Sequence, residues 1–138
     1  MTAIDVFLFL LLAAAVITDL RSDKIPNWLI IIGLVVGIRR TDLFIKNIFI
    51  CIFIILIFFP VFRVGALGAG DIKCFAMLSF YLTFSQLIAA VFFTFIFAAI
   101  FSICRIIHDH SFLSGKKKVH LALPIFLGVF ISFGGTYL

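Results

Sequence analysis

The chain has little charge and no glutamate. Only 12% of its 138 residues are charged, and all six acids are Asp. Apolar residues make up 65% of the sequence, and the mean hydropathy is +1.38. A soluble domain of this size needs a polar surface, so the composition excludes that class and indicates a polytopic membrane protein. We therefore predict an all-α membrane bundle that forms a single domain over residues 1–138.

Paired cysteines and recognisable metal-binding patterns are also missing. Cys51, Cys74 and Cys104 stand singly in apolar surroundings, without a CxxC pair, and we interpret them as buried thiols. Two histidines flank Asp109 and His120 follows later, but no third ligand has fixed helical spacing, so a solvated loop is favoured over a metal site. The chain also lacks an HExxH helix and a candidate Ser/His triad. We expect no metal and no cofactor.

Six apolar segments can be identified along the chain. They cover residues 4–18, 28–38, 43–62, 72–84, 86–107 and 119–137. The third, fifth and sixth approach or reach the ~20 residues that a helix needs to cross a bilayer. The other three are shorter, and we expect their polar ends to continue as helix that faces a water-filled cavity. The prediction is about six membrane helices, and it leaves open whether the fourth crosses fully.

The basic residues predict how this bundle is oriented. With six spans, one face carries eight Lys or Arg side chains and the other carries three. Because cytoplasmic loops are enriched in Lys and Arg, both termini are predicted to be non-cytoplasmic. The basic residues lie between spans, so we expect contact with lipid headgroups, above all through 116–118, and not with nucleic acid. This orientation puts Asp19 and Asp71 on the same, cytoplasmic face of the cell membrane.

These two acids are the candidate functional residues. Asp71 follows the glycine-rich loop Gly68-Ala69-Gly70, and Asp19 closes the first span. An ionisable residue at a membrane span is costly, which favours a functional role, although a helix N-cap at Asp71 would explain it equally well. Two carboxyls close enough to share a proton could act as in aspartic proteases. One would be the general base on a water, and the other would hydrogen-bond the scissile carbonyl.

A non-enzymatic alternative explains the same acids. Asp19 or Asp71 could carry protons in a small proton-coupled transporter, or serve in a membrane assembly subunit. Transport favours an acid near the middle of the membrane, and the third, fifth and sixth segments contain none. The alternative also leaves the particular residues around both acids unexplained.

Those flanking residues resemble the type IV prepilin peptidases, membrane aspartyl proteases of the GxGD type that are related to the preflagellin peptidases. Asp19 is followed six residues later by Ile25-Pro26-Asn27, and the second motif is Gly68-x-Gly70-Asp71. The resemblance implies that Asp19 and Asp71 are the catalytic pair. It also implies cleavage of a short basic leader from a pilin-like precursor at the cytoplasmic face. The methyltransferase segment of larger bacterial relatives has no counterpart here, as in the short Tad/Flp-type form.

Two further charged residues, Asp23 and Lys73, lie near the motifs. Asp23 lies in the same loop as Asp19 but does not match the family spacing, and its acid could instead attract the basic leader. We expect Asp23→Ala to keep appreciable activity. Lys73 follows Asp71 by two residues, so on a helix it points to a different face, and we assign it no chemistry.

Overall fold

The computed structural model describes residues 2–22, 24–40, 42, 44–65, 67–109 and 121–137. Over these ranges the regular structure is helical throughout: α1 (Ala3–Ser22), α2 (Asn27–Arg40), α3 (Phe44–Arg63), α4 (Ala69–Leu78), α5 (Phe84–Asp109) and α6 (Ala122–Tyr137). Three of these helices, α1, α3 and α5, are long and apolar enough to cross a membrane. The prediction of an all-α membrane protein is confirmed. A count of six spans and the side of the termini stay predictions.

Local hydrogen bonds and a glycine explain where α1 starts and where α3 ends. Thr2 precedes α1, and its backbone N–H and its hydroxyl both donate to Asp5 Oδ2, at 2.9 and 2.7 Å. This arrangement satisfies donors that have no partner within the helix. Two residues after the end of α3, the Gly65 N–H donates to the Phe62 carbonyl at 2.9 Å. Gly65 has a φ of 83°, a left-handed conformation that favours glycine after a helix.

The polar ends of the short segments do continue as helix. α1 runs to Ser22, four residues beyond the predicted end of its apolar segment, and thereby includes Asp19 in its last turn. α2 begins at Asn27, directly after Pro26, whose carbonyl accepts a hydrogen bond from the Leu29 N–H at 3.2 Å. Proline at this position fixes the entry into the helix without leaving an unsatisfied N–H.

The fourth helix differs from its predicted range of 72–84. α4 starts earlier, at Ala69, and ends at Leu78, so its 10 residues extend about 15 Å, half of a ~30 Å hydrocarbon core. The chain then turns through buried residues before α5 begins at Phe84. In this turn the Phe80 ring lies 6.4 Å from that of Phe44, at the start of α3. α4 and the turn that follows it therefore extend along α3, from its C-terminal end to its N-terminal end.

Small residues allow the helices to approach closely. α2 carries Gly33 and Gly37 one turn apart, and a Cβ at either position would collide with Met77 or Tyr81. The Tyr81 hydroxyl donates to the Gly33 carbonyl at 2.6 Å, which fixes the turn after α4 against α2. Between α5 and α6, a Cβ on Gly128 would lie 2.6 Å from the Ala90 carbonyl oxygen. The four-residue spacing of Gly33 and Gly37 is typical of helix contacts in membrane bundles.

The hydrophobic core lies around α4, which α2 and α3 contact from two sides. Phe58 of α3 stacks on Phe75 of α4 with ring centroids 5.2 Å apart. Apart from Ile54 and Phe58, the side chains of α3 are exposed or only partly buried, as expected of a helix with most of its surface in lipid. α4 is the opposite case, because Cys74 to Leu78 are all buried. The C-terminal half of the short fourth helix is thus enclosed by longer helices.

Candidate active site

Asp19 continues the buried face of α1. The positions Leu8, Leu12, Ala15 and Asp19 recur every three or four residues, so they share one side of the helix. Asp19 is only 8% exposed, although the residues on either side of it, Thr18 and Leu20, are more open. The helical period therefore directs the carboxyl into the bundle and not into lipid.

Asp71 lies in the first turn of α4 and is equally buried, at 8% exposure. Its Oδ2 atom accepts the Gly68 N–H at 3.1 Å, and its own N–H donates to the Gly68 carbonyl at 3.2 Å. Gly68 occupies the N-cap position, so the alternative that Asp71 is the N-cap residue is wrong by three positions. Asp71 still helps to cap the helix, because its carboxylate satisfies one donor of the preceding loop.

The two carboxyls influence each other electrostatically. The pKa of Asp71 is raised to about 6, and burial is the largest cause. The backbone hydrogen bond from Gly68 opposes the rise, and the charge of Asp19 adds to it. A like charge can raise a pKa only when it is close and poorly screened. Asp19 and Asp71 therefore lie within electrostatic range of each other, at the end of the bundle where α1 ends and α4 begins.

Each glycine of the second motif has a distinct steric reason. A Cβ on Gly68 would lie 3.0 Å from Asp71 Oδ2, so glycine leaves room for the carboxylate to fold back over the loop. A Cβ on Gly70 would lie 3.3 Å from Ile25 Cβ. Gly70 thus allows α4 to pack against the Ile-Pro-Asn segment of the first motif. The two motifs are in direct contact, which sequence spacing alone does not reveal.

Lys73 is a second link between the motifs. Its ammonium donates to Asn27 Oδ1 at 2.8 Å, between residues that are 46 positions apart. The prediction that Lys73 has no chemical role did not foresee this structural contact. Lys73 lies one turn beyond the loop glycines, on the side of α4 that meets the start of α2. No local sequence rule pairs these two residues, although each of them belongs to or adjoins a motif.

Some predicted residues fall outside the described part of the chain. They are Asp23, His110, the lysines 116–118 and His120. Among the residues that the structure does describe, no group of three or more His, Cys, Asp or Glu side chains is placed to hold a metal ion.

The two acids lie at the end of the bundle where α1 ends and α2 and α4 begin. Arg21, Lys24 and Lys73 are exposed at this same end. Two carboxyls of which one holds a proton can act together as general base and general acid.

The same two motifs lie inside a region that matches a known family. The model of the type IV leader peptidase family matches residues 6–103, which is more than half of the chain. No curated protein and no solved structure matches the chain significantly. The matched region includes most of α1, all of α2 to α4 and most of α5, and with them every residue of the site described above. The chain belongs to the type IV leader peptidase family and is a membrane protease of that general kind.

Proposed function

We propose that this protein is an aspartic endopeptidase in which Asp19 and Asp71 form the catalytic pair. The observation that carries the proposal is that two buried acids on different helices belong to motifs that are in direct contact through Gly70 and Ile25. Their burial removes them from bulk water, where a carboxylate pair would simply be solvated. Family membership supports proteolysis, and the pair supplies a chemistry for it that needs no metal.

The reaction follows from one shared proton. One carboxyl of the pair holds the proton, and the ionised carboxyl is the base that takes a proton from a bound water. The water oxygen attacks the carbonyl carbon of the scissile bond, while the protonated carboxyl donates to the carbonyl oxygen. When the tetrahedral intermediate collapses, a proton passes to the leaving nitrogen and the C–N bond breaks. The pair titrates as a unit, so its two apparent pKa values belong to both residues.

The substrate we propose is a type IV pilin-like precursor, cut between a short basic leader and an apolar helix. Trp28, in the first turn of α2, is 60% exposed. Tryptophan is enriched where a bilayer meets water, so Trp28 favours an interfacial depth for the neighbouring motif contact. That depth is where the boundary between a polar leader and a membrane helix would lie.

We also propose that the site faces the cytoplasm and that the protein resides in the cytoplasmic membrane as one peptidase domain. Arg21, Lys24, Arg63 and Lys73 all belong to the active-site end of the helices. The positive-inside rule assigns such an end to the cytoplasm. Labelling a Lys24→Cys variant, with Cys104 replaced by Ser, tests this orientation. A membrane-impermeant thiol reagent should react from the cytoplasmic side only, and reaction from the outer side alone would reverse the assignment.

Co-expression with a tagged pilin-like precursor tests the activity. Wild type, Asp19→Asn, Asp71→Asn and Asp23→Asn are compared by the size shift of the precursor on a gel, because Asn keeps the shape of the side chain and removes the acid. We expect cleavage to be lost in the first two variants and kept in the third. Equal loss from Asp23→Asn would contradict the pair. Failure of wild type on several precursors, together with a proton flux in vesicles that depends on Asp19 or Asp71, would favour a transporter.

A further inference from the structure

The segments that carry the two acids are held together by a contact that involves neither acid. Lys73 Nζ donates to Asn27 Oδ1 at 2.8 Å. Asn27 is the first residue of α2, and Lys73 is the fifth residue of α4, one turn after the loop that contains Gly68. Next to this bond, Gly70 lies against Ile25 closely enough that an added Cβ would be 3.3 Å from Ile25 Cβ. A polar and an apolar contact therefore join the same two segments.

We propose that the hydrogen bond between Lys73 and Asn27 is a positioning clamp, which keeps the first turn of α4 and its Asp71 in register with the end of α1 and its Asp19. The inference rests on the proposed function of the pair, since it concerns how that pair is held. Lys73 is a positioning residue in this scheme, and it does not contact the substrate bond.

Electrostatics gives a reason why such a clamp is needed. The charge of Asp19 acts on Asp71 unfavourably, so the two carboxyls repel each other whenever both are ionised. In the loop that leads into α4, Leu67 is buried, whereas Gly68 and Ala69, where the helix begins, are exposed. A charge-assisted bond between α4 and the start of α2 opposes the separation at the place where it would begin.

The bond between Lys73 and Asn27 lies at the surface, because both side chains are exposed. Its proposed effect depends on the two elements that it joins. Lys73 is anchored by a rigid helix at its base and by the first turn of another helix at its tip. Loss of the bond should therefore change the distance between α1 and α4, and through it the rate of the chemical step, more than the binding of a precursor.

The kinetic test uses the full-length protein in vesicles and a purified pilin-like precursor. Lys73→Met keeps the length of the side chain without its charge, Asn27→Leu removes the acceptor, and Lys24→Met is the matched control. We expect each of the first two to lower kcat about tenfold with KM changed by less than about twofold. The double variant should be no slower than either single one, because both changes break the same bond. The control should retain the wild-type kcat.

Two further readouts separate positioning from a general structural role. The exchanged pair, Asn27→Lys with Lys73→Asn, can form the same bond in the reverse direction, and we expect it to recover at least a third of the wild-type kcat. Asn27→Leu leaves the charge of the site unchanged, so an acidic shift of the limb of its pH profile near pH 6 would report a more distant Asp19. Losses in the two single variants that multiply in the double one, or an exchanged pair as slow as the double one, would overturn the clamp.

A distance measurement makes the clamp testable even if no precursor is cleaved. Spin labels are placed through Ser22→Cys and Ala69→Cys, two exposed positions at the end of α1 and the start of α4, with Cys51 and Cys104 replaced by Ser. We expect Asn27→Leu to broaden or lengthen the distance distribution. If it does so while wild type cleaves nothing, the clamp stands and the proposed function fails. If wild type is active and Asn27→Leu changes neither kcat nor the distribution, the clamp is refuted.

Discussion

Two glycines of one loop should respond differently to the same substitution. Gly68 has φ −78° and ψ 153°, an extended conformation that alanine adopts readily. Its added Cβ would lie 3.0 Å from Asp71 Oδ2, which is too close without a shift of the carboxylate. Gly65 has φ 83°, which alanine adopts at a cost of ~1 kcal/mol, but its added Cβ would meet nothing within 4 Å. Gly68→Ala should therefore harm catalysis, and Gly65→Ala should harm stability alone.

The size of the effect follows from the displaced carboxylate. A shift of a few tenths of an ångström lengthens the bond from the Gly68 N–H, now 3.1 Å, and displaces the carboxyl. A hydrogen bond to a charged group contributes ~1.5–3 kcal/mol, so partial loss costs about 1.4 kcal/mol. This corresponds to a fall in kcat of about tenfold for Gly68→Ala. Gly65→Ala should keep kcat within about twofold.

The assay compares both variants with wild type in vesicles, with initial rates of precursor cleavage at saturating substrate. Thermal unfolding in detergent determines how much of each sample is folded, so that the rates refer to folded protein. The reasoning would be refuted if Gly68→Ala kept the wild-type kcat, because the contact with Asp71 would then have no consequence. Equal loss of kcat from Gly65→Ala would also refute it, since loop strain alone would then account for both results.

Three other measurements test the site and its scaffold. Because burial raises the pKa of Asp71 to about 6 and the proposed pair needs its proton, kcat/KM should fall as the pH rises through about 6, and a flat profile between pH 5 and 7 would contradict this. Tyr81→Phe removes a buried bond to the Gly33 carbonyl and should cost about 1 kcal/mol of stability at unchanged kcat, measured by thermal unfolding. Gly128→Val places a side chain on the Ala90 carbonyl and should separate α5 from α6, with loss of folded protein on size-exclusion chromatography, whereas an unaltered elution profile would argue against that contact.

The helices could be predicted because the pattern of apolar residues is a local property of the sequence. The candidate acids could be identified because a charged side chain at a membrane span is energetically costly. Each apolar segment became a helix, and Asp19 falls on the inward face because the helical period of α1 puts it there. The end of α4 was not predictable in this way. Residues 79–84 contain neither Gly nor Pro and remain largely apolar, so composition favours a continued helix. The turn there is fixed by tertiary contacts, in particular that of Tyr81 with Gly33.

The contacts between the two motifs also could not be predicted from the sequence. The spacing Gly68-x-Gly70-Asp71 marks the loop as unusual, but only coordinates show that Gly70 accommodates Ile25. Lys73 and Asn27 are even harder to connect, because a bond across 46 residues has no signature in one sequence. Their shared place at the motif contact becomes visible only after the fold brings α2 and α4 together.

The most direct test of the account is the coupling between the two acids. Cleavage of a precursor in vesicles is measured for wild type, Asp19→Asn, Asp71→Asn and the double variant, with each rate corrected for folded protein. If the two carboxyls share one proton, each single variant should lose at least ~10³-fold in kcat and the double variant should lose no more than either. A single variant that stays within about tenfold of wild type, or losses that multiply in the double variant, would contradict a catalytic pair.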